Sequence, residues 1–174
     1  MTAWFNGQMQ YTLSRTYNDT AGINAFPAND YDLSGEWARA DVDRRHRFVM
    51  VGTVTGVKIV DLGVALTLNS AGPYTQTIGG DPYNNGRGRA RLPGIARNTL
   101  IAGDLATLDL HASRDLKLGG PKSGHELTLG ADGFNLLNRV NYASYVGIIS
   151  SPLFGNPVSA RSARQFQLSL RDKF

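Results

Sequence analysis

Apolar and polar residues alternate along much of this chain with a period of two. Val60, Leu62, Val64, Leu66 and Leu68 are separated by Asp61, Gly63, Ala65 and Thr67, with Asn69 following. Successive side chains of an extended strand point to opposite faces, so this stretch is predicted to be a strand with one greasy face and one polar or small face. The rhythm returns over 106–116, where Leu108, Leu110 and Ala112 oppose Thr107, Asp109, His111, Ser113 and Asp115. It returns over 125–132, where Leu127, Leu129 and Ala131 oppose Glu126, Thr128, Gly130 and Asp132. Phe166, Leu168, Leu170 and Phe174 alternate with Gln165, Gln167, Ser169, Arg171 and Lys173, and near the start Phe5, Met9, Tyr11 and Leu13 alternate with Asn6, Gln8, Gln10, Thr12 and Ser14. A sixth β-rich stretch, 46–55, runs Phe48, Val49, Met50 and Val51 together, so periodicity does not assign its faces. The expectation is an all-β chain, an antiparallel meander of about six long strands without an amphipathic helix.

The connections alternate between short and long. Gly56-Val57-Lys58 and Leu118 to Gly124 are compact turns, whereas 18–45, 78–103 and 139–160 are long stretches rich in Gly, Asn, Pro, Asp and Tyr. Long loops without structure of their own are uncommon in a compact soluble domain. They suit a barrel with one short-turn end and one long-loop end. The alternations are also longer than the 5 to 6 residues usual for soluble strands, and roughly match the 9 to 11 residues that cross a bilayer at a tilt. On this reading Leu62, Val64, Leu66, Leu68, Leu108, Leu110, Leu127 and Leu129 face lipid. Asp61, Thr67, Asp109, His111, Thr128, Asp132, Gln165, Gln167 and Arg171 face a wet lumen. The alternative is a soluble or secreted β-rich ligand-binding module of carbohydrate type, with the apolar face on a core.

Composition narrows the field. The 174 residues carry 18 Lys+Arg against 14 Asp+Glu and no cysteine, which leaves room for one domain and excludes a disulfide scaffold or a cysteine-ligated metal. No apolar run is long enough for a membrane-spanning helix. The arginines are scattered, so no nucleic-acid partner is expected. Residues 1–6 contain no basic stretch followed by an apolar core, so no secretory signal is expected there. The chain is therefore expected to be cytoplasmic or part of a longer chain.

Four phrases then resemble a known family. Asp43-Arg44-Arg45-His46-Arg47-Phe48-Val49 enters a strand, Gly72-Pro73-Tyr74-Thr75 leaves one, and Phe134-Asn135-Leu136-Leu137-Asn138-Arg139-Val140-Asn141-Tyr142 follows another. With the closing stretch Ser159 to Phe174, they are similar to the C-terminal barrel of TonB-dependent outer-membrane receptors, most closely the Oar-like branch. The resemblance implies a transmembrane outer-membrane β-barrel of about 22 strands that takes up a small solute in the bacterial outer membrane. On this resemblance the 174 residues are expected to be the C-terminal strands of a partial barrel without the plug domain, and the TonB complex would be reached only through the missing N-terminal part. The resemblance further implies that Phe166, Leu168, Leu170 and Phe174 form the assembly signal read by the outer-membrane insertion machinery. Asp172-Lys173 departs from the family pattern, which favours apolar residues before the last aromatic. Six strands would leave two open edges, and lipid does not tolerate unpaired backbone. The chain is thus expected to be a fragment, with Met1 and Phe174 on the same side of the membrane.

Chemistry is sparse. His46, His111 and His125 show no ligand spacing, so no metal is expected. Asp109, His111 and Ser113 share a strand face, but alternate residues lie about 7 Å apart, too far for a nucleophile and its base. No catalytic residue and no cofactor are expected. The basic cluster around Arg87, Arg89 and Arg91 is a candidate contact for lipopolysaccharide, and Tyr142, Tyr145 and Phe154 for a solute.

Overall fold

The computed structural model describes residues 4–23, 25–55, 60–84, 86, 88, 90–118 and 125–173. Twelve strands are formed and, among these residues, no helix: β1 (Phe5–Leu13), β2 (Tyr17–Asn18), β3 (Ala38–Arg39), β4 (His46–Val54), β5 (Asp61–Asn69), β6 (Pro73–Tyr74), β7 (Leu100–Ile101), β8 (Leu105–Leu118), β9 (His125–Phe134), β10 (Tyr142–Tyr145), β11 (Pro157–Ala160) and β12 (Gln165–Lys173). The six long strands make one antiparallel sheet in the order β1-β4-β5-β8-β9-β12. The five alternating segments and the β-rich stretch 46–55 have become six neighbouring strands. Phe174 and most of both short turns lie outside the described residues.

Register sorts the faces, because directly paired residues of antiparallel strands project to the same side. Met9 pairs Met50, Met50 pairs Leu66, Leu66 pairs Leu108, and Leu110 pairs Gly133, which pairs Phe166. One face therefore reads apolar across all six strands. The other is crossed by Gln10, Val49, Thr67 and Thr107, and by His111, Asp132 and Gln167. The register also resolves β4, with Phe48 and Met50 on the apolar face and Val49 and Val51 on the polar one. Arg114 and Asp172 interrupt the apolar face opposite Leu129 and Leu127.

The sheet is open, and β1 and β12 each pair on one side only. The extensive strand-to-strand contacts among the described residues are all between hydrogen-bonded neighbours, so no second sheet covers either face. Among the described residues the buried apolar side chains are small: Ala38, Ala40, Ala90 and Ala106, with Pro73. Leu168 is 83 % exposed, and Phe5, Met9, Tyr11, Leu62, Leu110 and Leu129 are exposed as well. The chain exposes 12043 Å² at a mass of 18.8 kDa, against about 8,300 Å² for a compact monomer of that mass. An apolar face of this extent lacks the core that usually stabilises a domain.

The long connections differ from the expectation in one respect: each contains structure of its own. β2 pairs β3, β6 pairs β7, and β10 pairs β11. These ladders are short and their flanks rich in turn residues, so no alternation announces them.

Candidate functional site

The polar face is hollow. A cavity of about 580 Å³ lies over the middle of the sheet, lined by Asn6, Gln8, Thr53, Asp109, His111, Asp132 and Phe134 among others. His111 and Asp132 are directly paired, and His111 Nδ1 lies 2.6 Å from Asp132 Oδ1. Gly63 and Gly130 neighbour His111 on this face, and a Cβ at Gly130 would collide with Ser169 Oγ, so the glycine there makes room for that hydroxyl. The imidazole is half exposed. With Nδ1 tied to the carboxylate, Nε2 remains to exchange a hydrogen bond with a solute. Among the described residues the side-chain partner of His111 is Asp132, and no serine hydroxyl bonds the ring.

The nine residues assigned to the wet side share this face, yet only Asp109, His111 and Asp132 line the cavity. Asp61 pairs Ser113, Thr67 pairs Thr107, Gln165 pairs Phe134, Gln167 pairs Asp132 and Arg171 pairs Thr128, so these residues spread along the strands. Asp109 is partly committed, accepting from the Asn135 backbone N–H at 2.8 Å. Thr128 Oγ1 donates to Asp115 Oδ1 at 2.6 Å.

Above the sheet the three long connections knit into a cap with a polar interior. Glu36 is buried between two arginines, with Arg91 Nη2 on Oε1 and Arg97 Nε 3.4 Å from Oε2. The Ala28 N–H also donates to Glu36 Oε1 at 3.0 Å, and Arg97 Nη2 reaches Asn18 Oδ1 at 2.7 Å. These bonds join the first connection to the second. The second and third meet where the Thr77 N–H donates to Gly147 O and the Ile149 N–H donates to Thr77 O, each at 2.8 Å. Tyr74 stacks on Tyr145 with centroids 5.3 Å apart. A second cavity of about 560 Å³ opens in the first connection beside Phe26, Trp37, Glu36 and Arg97.

Three of the phrases that resemble receptor barrels lie where strands meet this cap, and the fourth starts there and runs through β12. Asp43, 2 % exposed, accepts from the Thr16 N–H at 2.9 Å and from Arg39 Nε at 2.8 Å. Burial opposes its ionisation, but these two donors with Arg45 nearby outweigh it and hold the carboxyl below the usual carboxylate range. Burial, then the like charge of Arg47, lowers Arg44, with Asp43 only partly offsetting. Thr75 Oγ1 donates to Asn98 Oδ1 at 2.9 Å and accepts from the Asn98 N–H at 3.0 Å. Asn135 and Asn138 take positive φ values of 48° and 49°, a region asparagine tolerates well, and so turn the chain sharply after β9. The buried Asn141 side chain accepts from the Ala106 N–H at 3.0 Å and donates to Ala106 O at 2.9 Å, standing in for a strand partner.

No family model matches the chain, and neither does any curated protein or solved structure. Arg87 and Arg89 lie outside the described residues, while Arg91 is buried on Glu36. Of the arginines offered as a lipopolysaccharide contact, Arg91 alone is described, and its guanidinium is neutralised inside the cap. The Glu36, Arg97, Asn98 and Asn141 interactions escaped sequence reasoning, since bonds between residues up to 79 positions apart have no period.

Proposed function

We propose that the chain forms the last strands and outer loops of a TonB-dependent outer-membrane receptor, a barrel that admits a small solute across the bacterial outer membrane. The observation that carries this reading is the apolar face, which crosses all six strands with interruptions at Arg114 and Asp172 and is uncovered and backed by a hollow polar one. A soluble β-domain would turn that face onto large buried side chains, whereas a barrel segment gives it to hydrocarbon and keeps the hollow wet. In this reading the sheet is completed by further strands, because two open edges in lipid would leave backbone groups unpaired at several kcal/mol each. β12 supports an assembly role: Phe166 and Leu170 are exposed like Leu168, on a strand whose outer edge is free to accept strand addition. The solute would meet the cap first and the His111–Asp132 hollow after it.

Fluorophores at Leu66, Leu110 and Leu168, compared with Thr67, Asp109 and Gln167 in chain reconstituted into vesicles, test the assignment. Lipid-borne quenchers should reach the first three and aqueous quenchers the second three. A monodisperse, detergent-free protein with the three leucines shielded from both quenchers would instead return the soluble binding module.

A further inference from the structure

Where the apolar face meets the cap, at the β1–β4 end, its chemistry changes abruptly. Leu13 pairs His46 on the face that carries Tyr11 and Phe48, and beyond them a cavity of about 400 Å³ is lined by Arg15, Arg39, Asp43, Arg45, His46 and Ser70. Its single carboxylate, Asp43, is buried and already held by Arg39. Arg15 and Arg45 make no ion pair with any described residue, and Arg15 lies over the Tyr17 ring at 5.6 Å. Three guanidiniums thus face one engaged carboxylate, and the cavity carries a net positive charge that calls for an anion. Its surroundings are greasy: Leu13 below it and Ile101 in its wall are exposed, and Tyr17 stacks on Trp37 with centroids 6.3 Å apart.

A small soluble anion would use the charges and leave the apolar surround idle. An amphiphile uses both, with its head among the arginines and its chains running down over Leu13 and Met9. Forked guanidiniums match the oxygens of a phosphate group. We propose that this cavity binds the phosphate-bearing headgroup of an anionic lipid, an inference that rests on the assignment of the apolar face to the bilayer.

Trp37 is the natural reporter, with Trp4 replaced by Phe to leave it alone. The full chain is reconstituted into phosphatidylcholine vesicles in which either the phosphatidylcholine or an added phosphatidic acid carries brominated chains. Phosphatidic acid should quench Trp37 at the lower mole fraction, and each of Arg15→Gln and Arg45→Gln should reduce that preference by roughly tenfold, the loss of one charge-assisted hydrogen bond. Arg15→Lys with Arg45→Lys should retain most of it, and Lys117→Gln on the polar face should leave it unchanged; unaltered β-sheet circular dichroism checks that the variants fold. Equal quenching by both lipids overturns the headgroup site while leaving the membrane assignment standing. Quenching by neither removes the membrane assignment, and the site with it. If inorganic phosphate binds the lipid-free chain in detergent as tightly as phosphatidic acid does, with the same loss on Arg15→Gln, the apolar surround adds nothing, the cavity belongs to free phosphate and the lipid assignment is overturned.

Discussion

The six-stranded sheet and the cap above it invert one another. In the sheet, leucines and aromatics lie outside with no apolar interior behind them; in the cap, Glu36, Asp43, Arg91, Arg97, Asn98 and Asn141 are buried among loops. The sheet is held by backbone ladders and depends on its surroundings to accept its apolar face. The cap is held by specific side-chain bonds, each of which fails if one partner is removed. Two kinds of cohesion in one chain give two kinds of fragility, and substitutions can separate them.

The largest expected effect is in the cap. Glu36→Ala leaves two buried guanidiniums uncompensated, at a cost of about 3 to 5 kcal/mol. Hydrogen exchange should rise steeply over 14–45 and 70–104 while the β5–β8–β9 ladders keep their protection. The sheet answers to a different change. Leu110→Arg puts a charge in the middle of the apolar face and should cost about 2 to 4 kcal/mol in a bilayer, read as loss from the membrane fraction, whereas Thr67→Lys on the other face should have little effect. Were both tolerated equally, the two faces would not differ in their surroundings.

Asn141→Ala removes the amide that pairs with Ala106 and should cost about 1 to 3 kcal/mol by leaving those backbone groups unsatisfied. Differential scanning calorimetry of the reconstituted chain would measure it. Acid acts on the same cap through Asp43. Its folded carboxyl titrates below its unfolded value, so its stabilisation is present above the usual carboxylate range and is lost as pH falls through the folded value. A melting-temperature titration should fall in that acid window, and Asp43→Asn should flatten the fall. The smallest effect belongs to His111→Ala. The half-exposed His111–Asp132 pair should contribute no more than about 1 kcal/mol, so this variant tests solute binding almost free of stability changes.

The two regions also differed in how far they could be read beforehand. The strands were legible because alternation is a local signal, and the faces of β5, β8, β9 and β12 followed from it directly. β4 was not legible alone: four apolar residues in a row fit either face, and only its pairing with Tyr11 and Leu68 decides between them. His111 and Asp132 were each placed on the polar face, but their bond depends on register, which brings residues on neighbouring strands closer than alternate residues on one strand. The cap was opaque. Its bonds join residues such as Arg97 and Asn18, 79 positions apart, and nothing in either neighbourhood marks the match. The phrases resembling receptor barrels marked the cap's hinges without revealing why; Asn141 shows one reason, an amide acting as a piece of backbone.

The first residue of β1 pairs with the last of β4, and the last residue of β12 pairs near the first of β9, so the meander leaves on the side where it enters. Six strands thus amount to three complete round trips. A module of this kind could be spliced into or out of a larger ring without reversing the direction of anything on either flank, so the ring's circumference could change by hairpins while every long connection stays at the same end.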